Sequence, residues 1–254
     1  MLADPSRLIL GLGLIGIGRP WPDSSGSVIS ESAAVDLIEL AIHLGVTIFD
    51  TAPAYGSSEE RLGKALRSQP SVVRESLTLC TKFGESWSAE DGSAVDHSVD
   101  AGRKSLDRSL ERLGRVDVFQ IHKCDAATLA DDRLMDWLTS VRADKLIGSI
   151  GASVSTAEAL DAALSNDAVD TVQFPANVGF ATLLDSFIAR THGVFPIINR
   201  PMASGKLAAG SAPFEFLTTR LQHGVVLSGT TSPDHLRSNV ADMKQAQNAS
   251  TKPS

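Results

Sequence analysis

Residues 46–67 read VTIFDTAPAYGSSEERLGKALR. Val46 to Asp50 is a β-rich run that ends in a carboxylate. A short loop then carries Tyr55, and a segment from Ser58 to Arg67 opens on serine and two acids, as helix N-termini do. This is one strand followed by one helix, and the same alternation runs the length of the chain. Apolar strand-like runs fall at Leu8–Gly16, Val46–Asp50, Leu77–Lys82, Val116–His122, Ile147–Ala152, Thr171–Phe174, Val194–Asn199 and Val225–Leu227. Helical segments follow them, from about Ser30, then at Ser58–Arg67, Ser98–Leu113, Leu129–Ala143, Thr156–Leu164, Ala181–Thr191, Phe214–Leu221 and Pro233–Ala246.

Eight consecutive βα units predict a parallel (β/α)8 TIM barrel, and the 254 residues match the roughly 250 typical of that architecture. We expect a single domain over residues 1–254, fraying after about residue 246. Gly11-x-Gly13-x-x-Gly16 has the spacing of a dinucleotide-binding turn on an open sheet. Its context is wrong: no helix is expected to open at Gly16, and no acid closes a following strand at the required distance.

Composition narrows the function. A formal charge of −7 without a Lys/Arg run argues against a nucleic-acid surface. Hydrophobic residues at 43% and charged residues at 21% are ordinary for a soluble globular protein. No run approaches a membrane span. The glycine-rich stretch after Arg7 lacks the cleavage site of a signal peptide, so a cytoplasmic protein is expected. Cys80 and Cys124 read as buried free thiols. The six histidines lack ligand spacing, so no metal site is expected. The sequence leaves a monomer and a small homo-oligomer equally open.

In such a barrel the chemistry sits at the C-terminal ends of the strands. Asp50, Lys82 and His122 end the second, third and fourth runs, and Tyr55 follows the second. Each has a plain scaffold role open to it, as turn cap, solvated strand end or core histidine, but together they form an acid–base set. A phenol near its ordinary pKa of about 10 transfers protons slowly at neutral pH, so it needs a nearby cation. Lys82 is expected to supply that charge and lower the Tyr55 pKa, with Asp50 holding the ammonium. His122 is expected to hydrogen-bond a substrate carbonyl oxygen. Tyr55 is the only tyrosine in the chain.

The segment Phe49-Asp50-Thr51-Ala52-Pro53-Ala54-Tyr55-Gly56-Ser57-Ser58-Glu59 strongly resembles the signature of the aldo-keto reductase family. Thr81-Lys82-Phe83 and Gln120-Ile121-His122 follow in the matching order. The resemblance implies a reductase with Asp50, Tyr55, Lys82 and His122 as catalytic tetrad. It would transfer hydride between NADP(H) or NAD(H) and a small-molecule carbonyl or alcohol, with no nucleic-acid or membrane partner. It also implies cofactor contacts at Gly13, Leu14 and Asp50, at Ser153 and Gln173 for the carboxamide, and at Arg200, Pro201, Met202, Ser204, Gly205 and Lys206 around the pyrophosphate. Gly229, Thr230, Thr231, His235 and Asn239 would serve the adenosine end.

The chain departs from the family at several of these places. Val154 stands where an Asn is usual, and Asn199 where an aromatic commonly stacks on the nicotinamide. Gly229 and His235 replace the Lys and Arg of NADPH-specific relatives, leaving Arg237 as a nearby cation. Trp21 and Trp87 are candidates to line an open substrate pocket. Two other readings remain: an NAD-dependent sugar or pyridoxal-type dehydrogenase, and a cofactor-binding regulatory barrel with little turnover.

Overall fold

The apolar runs close into one barrel because each must bury both faces. A computed structural model describes residues 7–21, 28–190, 193–207, 210 and 212–250. Its strands are β1 (Leu8–Gly13), β2 (Ile48–Asp50), β3 (Thr78–Phe83), β4 (Glu85–Ser88), β5 (Gly92–Val95), β6 (Val116–Ile121), β7 (Ile147–Ser153), β8 (Thr171–Pro175), β9 (Phe195–Asn199) and β10 (Gly224–Gly229). The helices are α1 (Ile15–Gly18), α2 (Glu31–His43), α3 (Ser58–Arg67), α4 (Ser71–Ser76), α5 (Val99–Leu113), α6 (Ala126–Leu129), α7 (Asp132–Ala143), α8 (Ala157–Leu164), α9 (Thr182–Ile188), α10 (Ala212–Thr218) and α11 (Pro233–Ser250). The closed parallel barrel runs β1-β2-β3-β6-β7-β8-β9-β10 and back to β1, while β4 and β5 form a separate antiparallel hairpin. The expected (β/α)8 fold is therefore present.

Helix starts follow local chemistry. Ser30 Oγ accepts from Ala33 N–H, Ser98 Oγ from Ala101 N–H and Thr156 Oγ1 from Ala159 N–H, each satisfying a donor the helix leaves free. Gly114 ends α5 at φ 81°, a left-handed position that favours glycine.

The strand period of two sets the barrel's layers. Ile48, Cys80, Val118, Ile197, Val225 and Leu227 pack together as one apolar layer. Gly11 belongs to the same crowded space: a Cβ there would stand 2.9 Å from Leu227 and Val225 side-chain atoms. Gly11 thus serves barrel packing and no phosphate loop. Two residues further along their strands, toward the C-terminal ends, the layer turns polar at Asp50, Lys82, Gln120 and Asn199. Other apolar side chains seal the helices onto the outside of the barrel, in two clusters.

Several local expectations need correction. A helix does open beside Gly16, because α1 forms one turn there, but Gly16 lies under the Trp21 ring, with Trp21 Nε1 2.5 Å from a built Cβ. One turn carries no amphipathic period to read. The segment 129–143 splits into α6 and α7 because Asp131 caps a new start, accepting from Leu134 N–H. The last helix is longer than expected: α11 continues past residue 246 to Ser250. Gln247 Nε2 donates to Leu8 O at 2.7 Å, and Ser250 Oγ sits 2.9 Å from Thr218 Oγ1. These polar ties leave no trace in an apolar pattern. The β4–β5 hairpin and α4 were not anticipated either.

Candidate active site

Asp50, the last residue of β2, is 2% exposed and Lys82 is 0% exposed. Lys82 Nζ donates to Asp50 Oδ2 at 2.5 Å and to Thr51 O at 3.0 Å. Gln120 Nε2 donates to Asp50 Oδ1 at 3.0 Å. Both carboxylate oxygens are therefore held, which a buried charge requires. Tyr55 ends a 3-10 turn, Pro53–Tyr55. Gly56 then turns away at φ 63°, and a Cβ there would stand 2.3 Å from Gly18 O. The ammonium of Lys82 lies 4.9 Å from the Tyr55 ring centre.

His122 follows β6 directly and is anchored through its backbone, its N–H donating to Phe83 O at 2.7 Å. Its ring stands edge-on to Tyr55, with centroids 5.7 Å apart. The four expected catalytic residues thus meet at one end of the barrel.

Electrostatics refine their roles. Burial raises the Tyr55 phenol above its ordinary value, outweighing the opposing charge of Lys82. Lys82 does lower the phenol, as expected, but burial is the larger effect and sets the net direction. Burial alone would lower the Lys82 ammonium, but Asp50 and Tyr55 together carry it above its usual range, so it stays charged. His122 is held well below its ordinary value by burial first, then by Lys82, Lys123, Arg19 and His97. The imidazole is neutral at pH 7.

Glu85, the first residue of β4, was not anticipated from sequence. It is buried, with Oε2 3.0 Å from His122 Nδ1 and Oε1 accepting from Ser93 Oγ at 2.6 Å and 2.9 Å from Lys123 Nζ. The His122 contact is close but off the hydrogen-bond axis. A lone pair on Nδ1 would face this carboxylate, so the neutral ring is better placed with its proton there. That leaves Nε2 as an acceptor, where a donor was expected. Gln120 was also missed, although it shares a strand face with His122 at the i, i+2 spacing.

The expected cofactor residues divide. Ser153 and Gln173 are cross-strand neighbours, and Gly13 lies opposite Gly229. Gln173 Oε1 and Asn199 Oδ1 are buried with no partner. Carbonyl oxygens so placed suit a ligand that donates N–H groups, as a carboxamide does. Arg200, Ala203 and Ser204 take left-handed backbone angles (φ 54°, 49° and 58°), as does Gly205 at 85°. Arg200, Ser204, Gly205 and Lys206 are exposed, while Met202 is half-buried and Pro201 buried. Thr230 Oγ1 accepts from Ser232 N–H at 3.0 Å, and Thr231 is half-buried. His235 is exposed, and its N–H is taken by Ser232 Oγ.

Leu14 and Asn239 fit their expected roles less well. The Leu14 side chain is fully buried in a core cluster, its N–H donates to Asp50 O and its carbonyl accepts from Ser58 Oγ. Asn239 Nδ2 donates to Ser228 Oγ at 2.6 Å. At Gly229 a built Cβ would meet the Trp21 ring at 2.4 Å, so the ring fills the space a longer side chain would need. Cys80 and Cys124 are free and buried, and the Cys124 thiol is pushed up to about 12 by burial and by Asp125.

The sequence profile of the Aldo/keto reductase family matches residues 9–213. The chain belongs to the aldo/keto reductase family. A solved protein from Pseudomonas aeruginosa, described as a candidate aldo-keto reductase, superimposes on this family member with a TM-score of 0.80 at 31% identity, covering 93% of this chain and 90% of that one. L-galactose dehydrogenase of Arabidopsis thaliana is 35% identical over 124 residues, which are 47% of this chain and 37% of the relative. Aldo-keto reductase YhdN of Bacillus subtilis is 29% identical over 180 residues, 69% of this chain and 51% of the relative. The chain thus spans between about a third and a half of those two curated relatives. No described helix is long and apolar enough to cross a membrane.

Proposed function

We propose that this family member is an oxidoreductase acting, as one barrel domain over residues 1–254, on a carbonyl or alcohol substrate with NADP(H) or NAD(H). The observation that carries this reading is the buried Lys82–Asp50 pair, closed at 2.5 Å, with its ammonium 4.9 Å from the Tyr55 ring. Ser153, Gln173 and Asn199 would hold the nicotinamide end, and the exposed Arg200–Lys206 loop with Thr230 and Thr231 would hold the phosphates. A bound nicotinamide would supply or accept the hydride.

The residues of the chain manage the proton. Tyr55, raised by burial, keeps its proton at neutral pH and serves as general acid toward the carbonyl oxygen. Lys82 stabilises the phenolate left behind, and Asp50 with Thr51 O keeps that ammonium in place. His122 orients the substrate oxygen, accepting through Nε2 from the hydroxyl form. The likeness to L-galactose dehydrogenase favours, as a second reading, a sugar dehydrogenase working in the oxidative direction.

Fluorescence titration with NADPH and NADH, followed by a panel of aldehydes, ketones, polyols and sugars, tests both readings. Nucleotide binding with carbonyl reduction supports the first, and activity confined to sugar oxidation supports the second. Nucleotide binding without turnover across the panel would overturn both.

A further inference from the structure

Arg19 stands out among the charged residues of the barrel mouth. It follows α1, is 8% exposed, and is the one arginine buried to this degree among the described residues. Three half-buried arginines elsewhere are matched with acids: Arg112 with Glu59 and Glu60, Arg115 with Asp117, Arg142 with Asp170. The Arg19 side chain makes no hydrogen bond or ion pair with any described residue, and its Nη1 is buried without a partner. Its guanidinium carbon lies 5.2 Å from the Trp87 ring centre and 5.9 Å from the Tyr55 ring centre. Two ring faces attract a cation but leave its N–H groups unpaired. Glu85, the buried carboxylate on the same hairpin as Trp87, is engaged by Lys123, Ser93 and His122.

The location separates this charge from the expected nicotinamide contacts. Those lie on β7, β8 and β9. Arg19 instead shares its wall with Tyr55, with Trp87 of β4 and with His122, which feels its charge. That wall borders the atom to be protonated. We propose that Arg19 binds an anionic oxygen group on the substrate, most simply a carboxylate, so that the preferred substrates are short oxo acids. The planar fork of a guanidinium pairs two N–H groups with two carboxylate oxygens, and such a pair replaces the solvation that burial removes. The guanidinium carbon lies 5.9 Å from the Tyr55 ring centre, so the carboxylate would be held beside the residue that delivers the proton.

This inference rests on the reductase reading above, and the experiment separates the two. The full chain is assayed with saturating NADPH on matched pairs: 4-carboxybenzaldehyde against its methyl ester, and 4-oxobutanoate against its methyl ester. The acid is expected to exceed the ester in kcat/KM by about tenfold or more, as for one charge-assisted bidentate contact, with the difference in KM. Arg19→Met should collapse that ratio to near one, and Arg19→Lys should recover part of it. Calorimetric binding of benzoate to wild type and to Arg19→Lys and Arg19→Met, without nucleotide, gives a readout free of turnover. Benzoate affinity that follows the charge at position 19 supports the proposal even if neither aldehyde is turned over, a result that would sink only the reductase reading. Turnover of both aldehydes at equal kcat/KM in wild type, with no benzoate binding, overturns the proposal. So does an Arg19→Met protein that loses acid and ester activity in equal measure together with thermal stability.

Discussion

The two arcs of the barrel mouth are built on opposite principles. On β2 and β3, Asp50 and Lys82 are buried and complete: the carboxylate accepts two hydrogen bonds and the ammonium donates to Asp50 Oδ2 and Thr51 O. On β8 and β9, Gln173 and Asn199 bury carbonyl oxygens that meet no donor. The first arc is assembled by folding alone, and its geometry is ready before any ligand arrives. The second carries a desolvation cost that no side chain or backbone donor of the described residues relieves. The Asp50–Lys82 pair is therefore part of the fold, whereas the proposed nucleotide cradle would be stabilised by what it holds.

Lys82→Met attacks the complete arc and should have the largest effect. It leaves Asp50 as a buried carboxylate without its cation, so denaturant unfolding should show a loss of about 3–5 kcal/mol. A loss below about 1 kcal/mol, the scale of an exposed pair, would show that the arc does not depend on this charge pair. Tyr55→Phe keeps the pair and removes only the proton. Turnover should fall by roughly 10²–10⁴-fold, with nucleotide affinity and melting temperature near those of wild type. Turnover within a few-fold of wild type would remove Tyr55 from its role.

Gln173→Leu tests the unfinished arc, and its stability effect should carry the opposite sign. Deleting a buried carbonyl that lacks a partner should leave the nucleotide-free protein as stable as wild type or more so. Nucleotide binding should weaken by about tenfold, the equivalent of one net hydrogen bond of about 1.4 kcal/mol. A destabilised protein with unchanged affinity would mean that Gln173 is scaffold.

His122 beside the complete arc adds a pH dependence. Its folded value is depressed by burial and by Lys82, Lys123, Arg19 and His97, with Glu85 the facing carboxylate. Below the unfolded value of about 6.5 the unfolded chain binds a proton that the folded one refuses. Stability should accordingly be full above that pH and fall as pH drops through it, by at most about 1.4 kcal/mol per pH unit. His122→Gln should remove this component of the acid slope. Identical slopes in the two proteins would show that His122 is not held neutral.

The smallest effect concerns nucleotide choice. Arg237 and His235 are exposed on α11, so Arg237→Ala should reduce any NADPH preference only several-fold, on the order of 1 kcal/mol. Dissociation constants for both nucleotides, in wild type and in Arg237→Ala, check this. A thousand-fold preference insensitive to the substitution would place the ribose site elsewhere.

Much of this architecture was legible in the chain. The alternation of apolar runs with capped amphipathic segments marked all eight barrel strands, since a strand's period and a helix's cap are local properties. Asp50, Lys82 and His122 were legible for the same reason, as polar residues ending apolar runs. The β4–β5 hairpin was not, because Gly92–Val95 is exposed throughout and leaves no apolar signature. Glu85 read only as a polar residue after a strand, and nothing local announced its approach to His122. Leu14 was expected to contact the cofactor by resemblance, and nothing in the local sequence signalled that its side chain would join a core cluster.

The sequence by itself determined which residues end the strands and which chemical types they bring, because the period of two carries Ile48, Cys80 and Val118 directly on to Asp50, Lys82 and Gln120. Only the tertiary structure decided what those groups become. Burial, which depends on barrel closure, sets the Tyr55 phenol above its ordinary value despite Lys82. The approach of Trp21 from a distant loop explains Gly229, which in the chain reads merely as a missing cation. Arg19 is a plain loop arginine in the sequence, and becomes a buried guanidinium between two aromatic rings only once β4 and the turn at Tyr55 have folded around it. Each of these outcomes depends on the convergence of segments remote in sequence, and no local pattern encodes which side chains will share the same low-dielectric space.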